Sequence, residues 1–79
     1  MASDLMAETY DLRGLKCPMP VLRTRKRMLG LEPGERLWVH TSDPLAVIDI
    51  PHFCQESGHA LIESETAEDG HRFLIERGA

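Results

Sequence analysis

Cysteine is scarce in this chain of 79 residues: only Cys17 and Cys54 are present. Two are too few to staple a small secreted scaffold, so a disulfide framework is excluded and a reduced, cytoplasmic protein is expected. No stretch of eighteen apolar residues occurs, so no membrane-spanning helix is expected. The opening Met1-Ala2-Ser3-Asp4-Leu5 has neither the basic start nor the apolar run of a secretory leader. Aromatic side chains number only four (Tyr10, Trp38, Phe53 and Phe73). The length itself excludes a cofactor-binding domain paired with a substrate domain. A core of this size rarely supplies more than about 3–5 kcal/mol of net stability, so an elaborate buried active site would be hard to support. One domain over residues 1–79 is expected, with residues 1–5 as a flexible N-terminus, no cofactor and chemistry confined to a surface element.

What is present is unevenly distributed. The segment from Arg13 to Arg27 contains Arg13, Lys16, Arg23, Arg25, Lys26 and Arg27 and no acid, although the formal net charge of the chain is −4. The plain reading of such a run is a solvated basic helix face; the sharper one is a docking patch for an acidic partner, phosphate or nucleic acid.

Periodicity places the elements. Residues 6–12 read as a short strand with Met6, Tyr10 and Leu12 on one side. Gly14 marks a turn. A first helix follows from Pro18 to Leu29, where Pro18 and Pro20 fall in the first turn, whose N–H groups lack intrahelical partners anyway. Its expected buried stripe is Val21, Leu22, Met28 and Leu29, with Thr24 or the Arg25 stem between. Gly30 and Pro33-Gly34 end it. Residues 36–41 alternate as a strand, Leu37 and Val39 against Trp38 and His40. One of these sets must face away from the helices; a lone tryptophan in so small a chain is more often core. Asp43-Pro44 is a helix start, and Val47, Ile50 and Cys54, with Ala46 and Phe53, form an apolar stripe ending at Gly58. Pro51 is expected to kink or split that helix. Residues 60–66 and 71–77 flank Ala67-Glu68-Asp69-Gly70 as a hairpin. The order β-α-β-α-β-β implies an α+β two-layer sandwich, a four-stranded mixed sheet with two helices on one face.

The run Asp11-Leu12-Arg13-Gly14-Leu15-Lys16-Cys17-Pro18-Met19-Pro20 sets a cysteine where a turn meets a helix N-terminus. With Cys17 as N-cap, the helix dipole, the Met19 N–H and the charges of Arg13 and Lys16 should all favour a thiolate at neutral pH. A Cys-x-x-Cys redox pair is excluded, because Pro20 occupies the second position. A Cys-His hydrolase would need a cleft for which little chain remains. Carriage of an electrophilic sulfur atom needs only an exposed nucleophile and a docking surface.

The same run resembles the signature of the TusA/SirA-like sulfur carrier family, a Cys-Pro-x-Pro motif opening the first helix. Asp43-Pro44 through Asp49-Ile50-Pro51-His52-Phe53-Cys54 is similar to the family's second-helix segment, and the likeness spans residues 8 to 77. The resemblance implies a persulfide carrier of sulfurtransferase type rather than a free-standing enzyme. Cys17 would accept sulfur from a cysteine desulfurase or a rhodanese-like donor and relay it to acceptor proteins, toward 2-thiouridine in tRNA or other sulfur metabolism. It also implies that Gly14, Pro18 and Pro20 support the motif. The basic side of the first helix (Arg23, Arg25, Lys26, Arg27) would lie at the docking surface, to which Arg13 and Lys16 are added.

The alternative is a non-catalytic regulatory or RNA-binding module using the basic segment. Single-strand readers usually present several stacking aromatics, and none of the four lies in that segment, so direct nucleic-acid binding is not expected. Cys54, on an apolar stripe, reads as a buried structural thiol; a second sulfur site or a bridge to Cys17 would need a proximity that sequence does not supply. His52 and Cys54 are too few for a metal site, and none is expected.

Overall fold

The computed structural model describes residues 7–78, so the N-terminus over residues 1–5 and the Met6 end of the first strand lie outside it. Its elements are β1 (Glu8–Leu12), α1 (Met19–Met28), β2 (Arg36–Thr41), α2 (Ala46–Ser57), β3 (Ala60–Ala67) and β4 (Gly70–Glu76). The sheet order is β1-β2-β4-β3. Strands β1 and β2 are parallel and the other two pairs antiparallel. This is the expected β-α-β-α-β-β order with a mixed sheet.

Alternation on β2 decides which face is covered. Leu37 and Val39 are fully buried, and the register sets them opposite Ile75 and Phe73 of β4. Tyr10 and Leu12 of β1 fall on the same face. Met28 of α1 and Ala46, Ile50, Phe53 and Cys54 of α2 complete one core with them. Trp38 lies on the opposite, uncovered face rather than in this core. It is half-buried there because the Arg72 guanidinium lies 4.2 Å above its ring, a cation–π contact that shields one side.

The helices settle into phases that differ in part from the expected ones. In α1 the buried residues are Pro20, Thr24 and Met28, a stripe one residue wide at four-residue steps. Leu22 is 46% exposed and Leu29 72%, while Val21 packs partly against the core. In α2 Val47 is exposed, and Ala46, Ile50, Phe53 and Cys54 face inward. Pro51 neither splits nor interrupts α2, which runs from Ala46 to Ser57. The carbonyl that its missing N–H leaves unpaired is that of Val47, a residue on the wetted side of the helix.

Both helix ends are secured. Gly58 caps α2 with a φ of 76°, a conformation in which glycine has no steric penalty, and the His59 N–H donates to the Cys54 carbonyl at 2.9 Å. Past α1, Arg77 Nη1 donates to the carbonyls of Met28, Leu29 and Leu31 at 2.9, 3.0 and 2.6 Å, tying the chain end to the helix end. The β3–β4 hairpin closes with Glu68 and Asp69 as its two turn residues, since Ala67 pairs with Gly70. A Cβ on Gly70 would stand 1.9 Å from the Thr41 carbonyl oxygen. Only glycine allows the hairpin tip to approach β2 this closely, and that approach carries Asp69 toward the loop after β1.

Candidate functional site

Two parallel neighbouring strands deliver the loops that follow them to the same end of the sheet. The loop after β1 holds Cys17; the loop after β2 holds Ser42 and Asp43 and leads into α2. Side chains of the second loop hold the backbone of the first. The Gly14 N–H donates to Ser42 Oγ at 2.8 Å, and the Cys17 N–H donates to Asp43 Oδ2 at 2.5 Å. The other oxygen of Asp43 accepts the Leu45 N–H at 3.1 Å, at the start of α2. Gly14 turns the chain at a φ of 89°, as a glycine turn should.

A third tie comes from Arg13. Its guanidinium donates to Asp11 Oδ1 and Oδ2, both at 2.9 Å, and to Asp69 Oδ2 at 2.6 Å, while Asp69 Oδ1 meets His40 Nε2 at 3.1 Å. The hydrogen bonds from Arg13 hold both carboxyls below their usual range. Arg13 thus braces the cysteine loop against β1 and the hairpin, with its side chain still exposed.

Cys17 is exposed, and its peptide bond to Pro18 is cis. The helix cap is Pro18, not Cys17, and the Met19 N–H donates to the Lys16 carbonyl at 2.8 Å rather than reaching the sulfur. The thiol instead meets Asp49, from the first turn of α2. Its hydrogen bond to that carboxylate raises its pKa above the ordinary thiol value, and some loss of surrounding water and the negative charges of Asp49 and Asp43 act the same way. These surroundings favour the thiol over the thiolate, the opposite direction to the lowering expected of a cysteine at a helix N-terminus. The charges that sequence placed beside it were the basic ones; those that act on the thiol in the fold are the acidic Asp49 and Asp43.

The sulfur opens on a groove of about 230 Å³ between the two helices. Pro18, Val21 and Phe53 supply its apolar lining, and Arg25, Asp49, His52 and Glu56 its polar one. The Arg25 guanidinium lies 5.6 Å from the Phe53 ring centre, and His52 Nε2 lies 3.4 Å from Glu56 Oε1. The other basic residues disperse. Arg27 pairs with Glu8, Arg23 and Lys26 are exposed along α1, and Lys16 borders a second hollow with Gly14, Ser42 and Asp43. Pro18 is exposed at the groove, while Pro20 is on the buried side of α1.

Cys54 is 2% exposed, and burial pushes its thiol up to about 11. Both cysteines are free. Among the described residues no three His, Cys, Asp or Glu side chains gather as metal ligands, and no helix is long and apolar enough to cross a membrane.

Sequence reasoning missed Asp49 and the groove. A signal existed: once β1 and β2 are parallel, the turn after β1 and the start of the helix after β2 must be neighbours, and Asp49 flanks the buried Ile50.

Comparison with known proteins agrees with this architecture. The family profile described as sulfurtransferase TusA matches residues 8–77. Among solved structures, a SirA-like protein from Desulfitobacterium hafniense superposes with a TM-score of 0.76 at 24% identity, covering 91% of this chain and 99% of that one. At that identity the likeness speaks to the fold alone.

Proposed function

The chain belongs to the sulfurtransferase TusA family, and from that premise we propose that it is a sulfur carrier in which Cys17 takes up the outer sulfur of a donor persulfide. Membership supports a role of sulfurtransferase type, with donors and acceptors of sulfur as partners. The single observation that carries the assignment to Cys17 is its position: an exposed sulfur at the mouth of an open groove, on a loop pinned at Arg13, Gly14 and its own N–H.

The chemistry is an exchange between sulfurs. The Cys17 sulfur attacks the outer sulfur of the donor, the donor's S–S bond breaks, and its electron pair leaves with the inner sulfur, which takes a proton. A thiol and a persulfide become a persulfide and a thiol, with no net change of oxidation state. In the second half an acceptor thiolate attacks the outer sulfur held on Cys17 and releases the original thiol. The pinned loop reduces the freedom that the sulfur must lose at docking. The donor class is a cysteine desulfurase or a rhodanese-like protein, and the acceptor class a relay protein serving tRNA 2-thiouridine or other sulfur metabolism. Arg23 and Lys26, exposed on α1, are the basic residues best placed to meet an acidic partner surface.

Incubation with a cysteine desulfurase and cysteine should add one sulfur to the protein by intact mass, and Cys17→Ser should take none. Equal loading of the serine variant would remove this reading.

A further inference from the structure

We propose that Asp49 is a catalytic residue of this exchange: its carboxylate accepts the thiol proton of Cys17 as the sulfur attacks and passes it to the departing donor sulfur. The inference rests on the sulfur-carrier reading and deepens it.

Asp49 and Cys17 are 32 positions apart in sequence, yet both line one groove and the thiol hydrogen-bonds to the carboxylate. Asp49 is held by its helix, its N–H donating to the Leu45 carbonyl at 2.9 Å. The other groups around the sulfur are poorly suited to take the proton. Asp43 already accepts from the Cys17 N–H with one oxygen and from the Leu45 N–H with the other. His52 faces Glu56 one turn further along α2, and Arg25 of α1 is a cation over Phe53. That leaves Asp49 as the acceptor in contact with the reacting atom.

The chemistry needs such a group. A thiol that rests protonated offers little thiolate at neutral pH, so attack through the free thiolate draws on a minor species. A base in contact with the S–H removes the proton during attack, and a positioned base of this kind typically contributes on the order of 10²–10⁴-fold. The carboxylic acid formed is the proton source for the donor's leaving sulfur. Protons balance within the pair, and Asp49 ends each transfer as it began.

Two rates measured side by side from pH 6 to 10 test this: alkylation of Cys17 by iodoacetamide, and loading from glutathione persulfide, read by intact mass. Iodoacetamide reports thiolate alone. Asp49→Asn should bring the alkylation inflection down and speed alkylation at pH 7, because the carboxylate that held the proton is gone. Loading at pH 7 should instead fall roughly ten-fold or more, and should now climb with pH in parallel with alkylation. Asp49→Glu should recover part of the loading rate. A role confined to folding would not move the two rates in opposite directions. A loading rate at pH 7 that is faster in Asp49→Asn than in the wild type, as alkylation is, or that is unchanged from the wild type, overturns the proposal. If the Asn variant does not fold, the wild type decides: loading more sustained at pH 7 than its alkylation titration predicts supports the proposal, and loading that tracks that titration overturns it. A wild type that takes no sulfur at any pH overturns the carrier reading itself, a different outcome from either.

Discussion

The two cysteines share a side chain and a direction of pKa shift but differ in cause. Cys54, inside α2 against the sheet, has its thiol pushed up by removal from water. Cys17, on the loop after β1, has its thiol pushed up chiefly by a hydrogen bond to one carboxylate, while the sulfur stays within reach of solvent. Burial makes a thiol inert by closing access as well as by opposing charge. A carboxylate in contact does only the second, and does so reversibly, because it can take the proton it holds. The difference separates a packing atom from a chemical one.

Three measurements put that contrast at risk. The largest effect is expected in labelling. Iodoacetamide should modify native protein at Cys17 and reach Cys54 only when the structure opens, at least a hundred-fold more slowly for a fold of ordinary stability. Peptide mapping after timed quenching reads both sites, and comparable rates would erase the contrast.

A smaller effect follows from Gly70. A Cβ there meets the backbone of Thr41 rather than a movable side chain, so Gly70→Ala should cost on the order of 3 kcal/mol in a denaturation experiment. Labelling of Cys54 should then quicken about a hundred-fold if it proceeds through global opening, while that of Cys17 changes little. An unaltered Cys54 rate in a destabilised variant would mean that a local opening exposes it.

The smallest effect is on the alkaline arm of stability. A thiol whose folded pKa lies above its unfolded value stabilises the fold below the unfolded value and loses that contribution as pH rises through the folded one. For Cys54 the window runs from about 8.5, the free-thiol value, to about 11. Urea midpoints should fall across it, and Cys54→Ala should flatten the decline more than Cys17→Ser does.

Much of this was legible in the sequence because local signals agreed. The alternation of Leu37 and Val39 with Trp38 and His40, the paired prolines after Cys17, Gly58 and the Asp69-Gly70 turn each pointed to one element, and the elements admitted one architecture. Helix phase was less legible. A helix lying on a sheet buries a stripe whose angle is set by tertiary contact, so α1 buries Thr24 and exposes Leu22 and Leu29 despite their polarity. The charge around Cys17 was misjudged for a similar reason. Arg13 and Lys16 are near it in sequence, but Arg13 is held by Asp11 and Asp69, while the carboxylates of Asp43 and Asp49 arrive from the crossover to the next strand.

The central claim is that sulfur resides on Cys17 during transfer. Its most direct test is to load the wild-type protein enzymatically from a desulfurase, cap the sulfurs with an alkylating agent, digest it and find which peptide holds the added atom. The account predicts the peptide containing Cys17 alone; sulfur found on Cys54, or divided between the two, would contradict it.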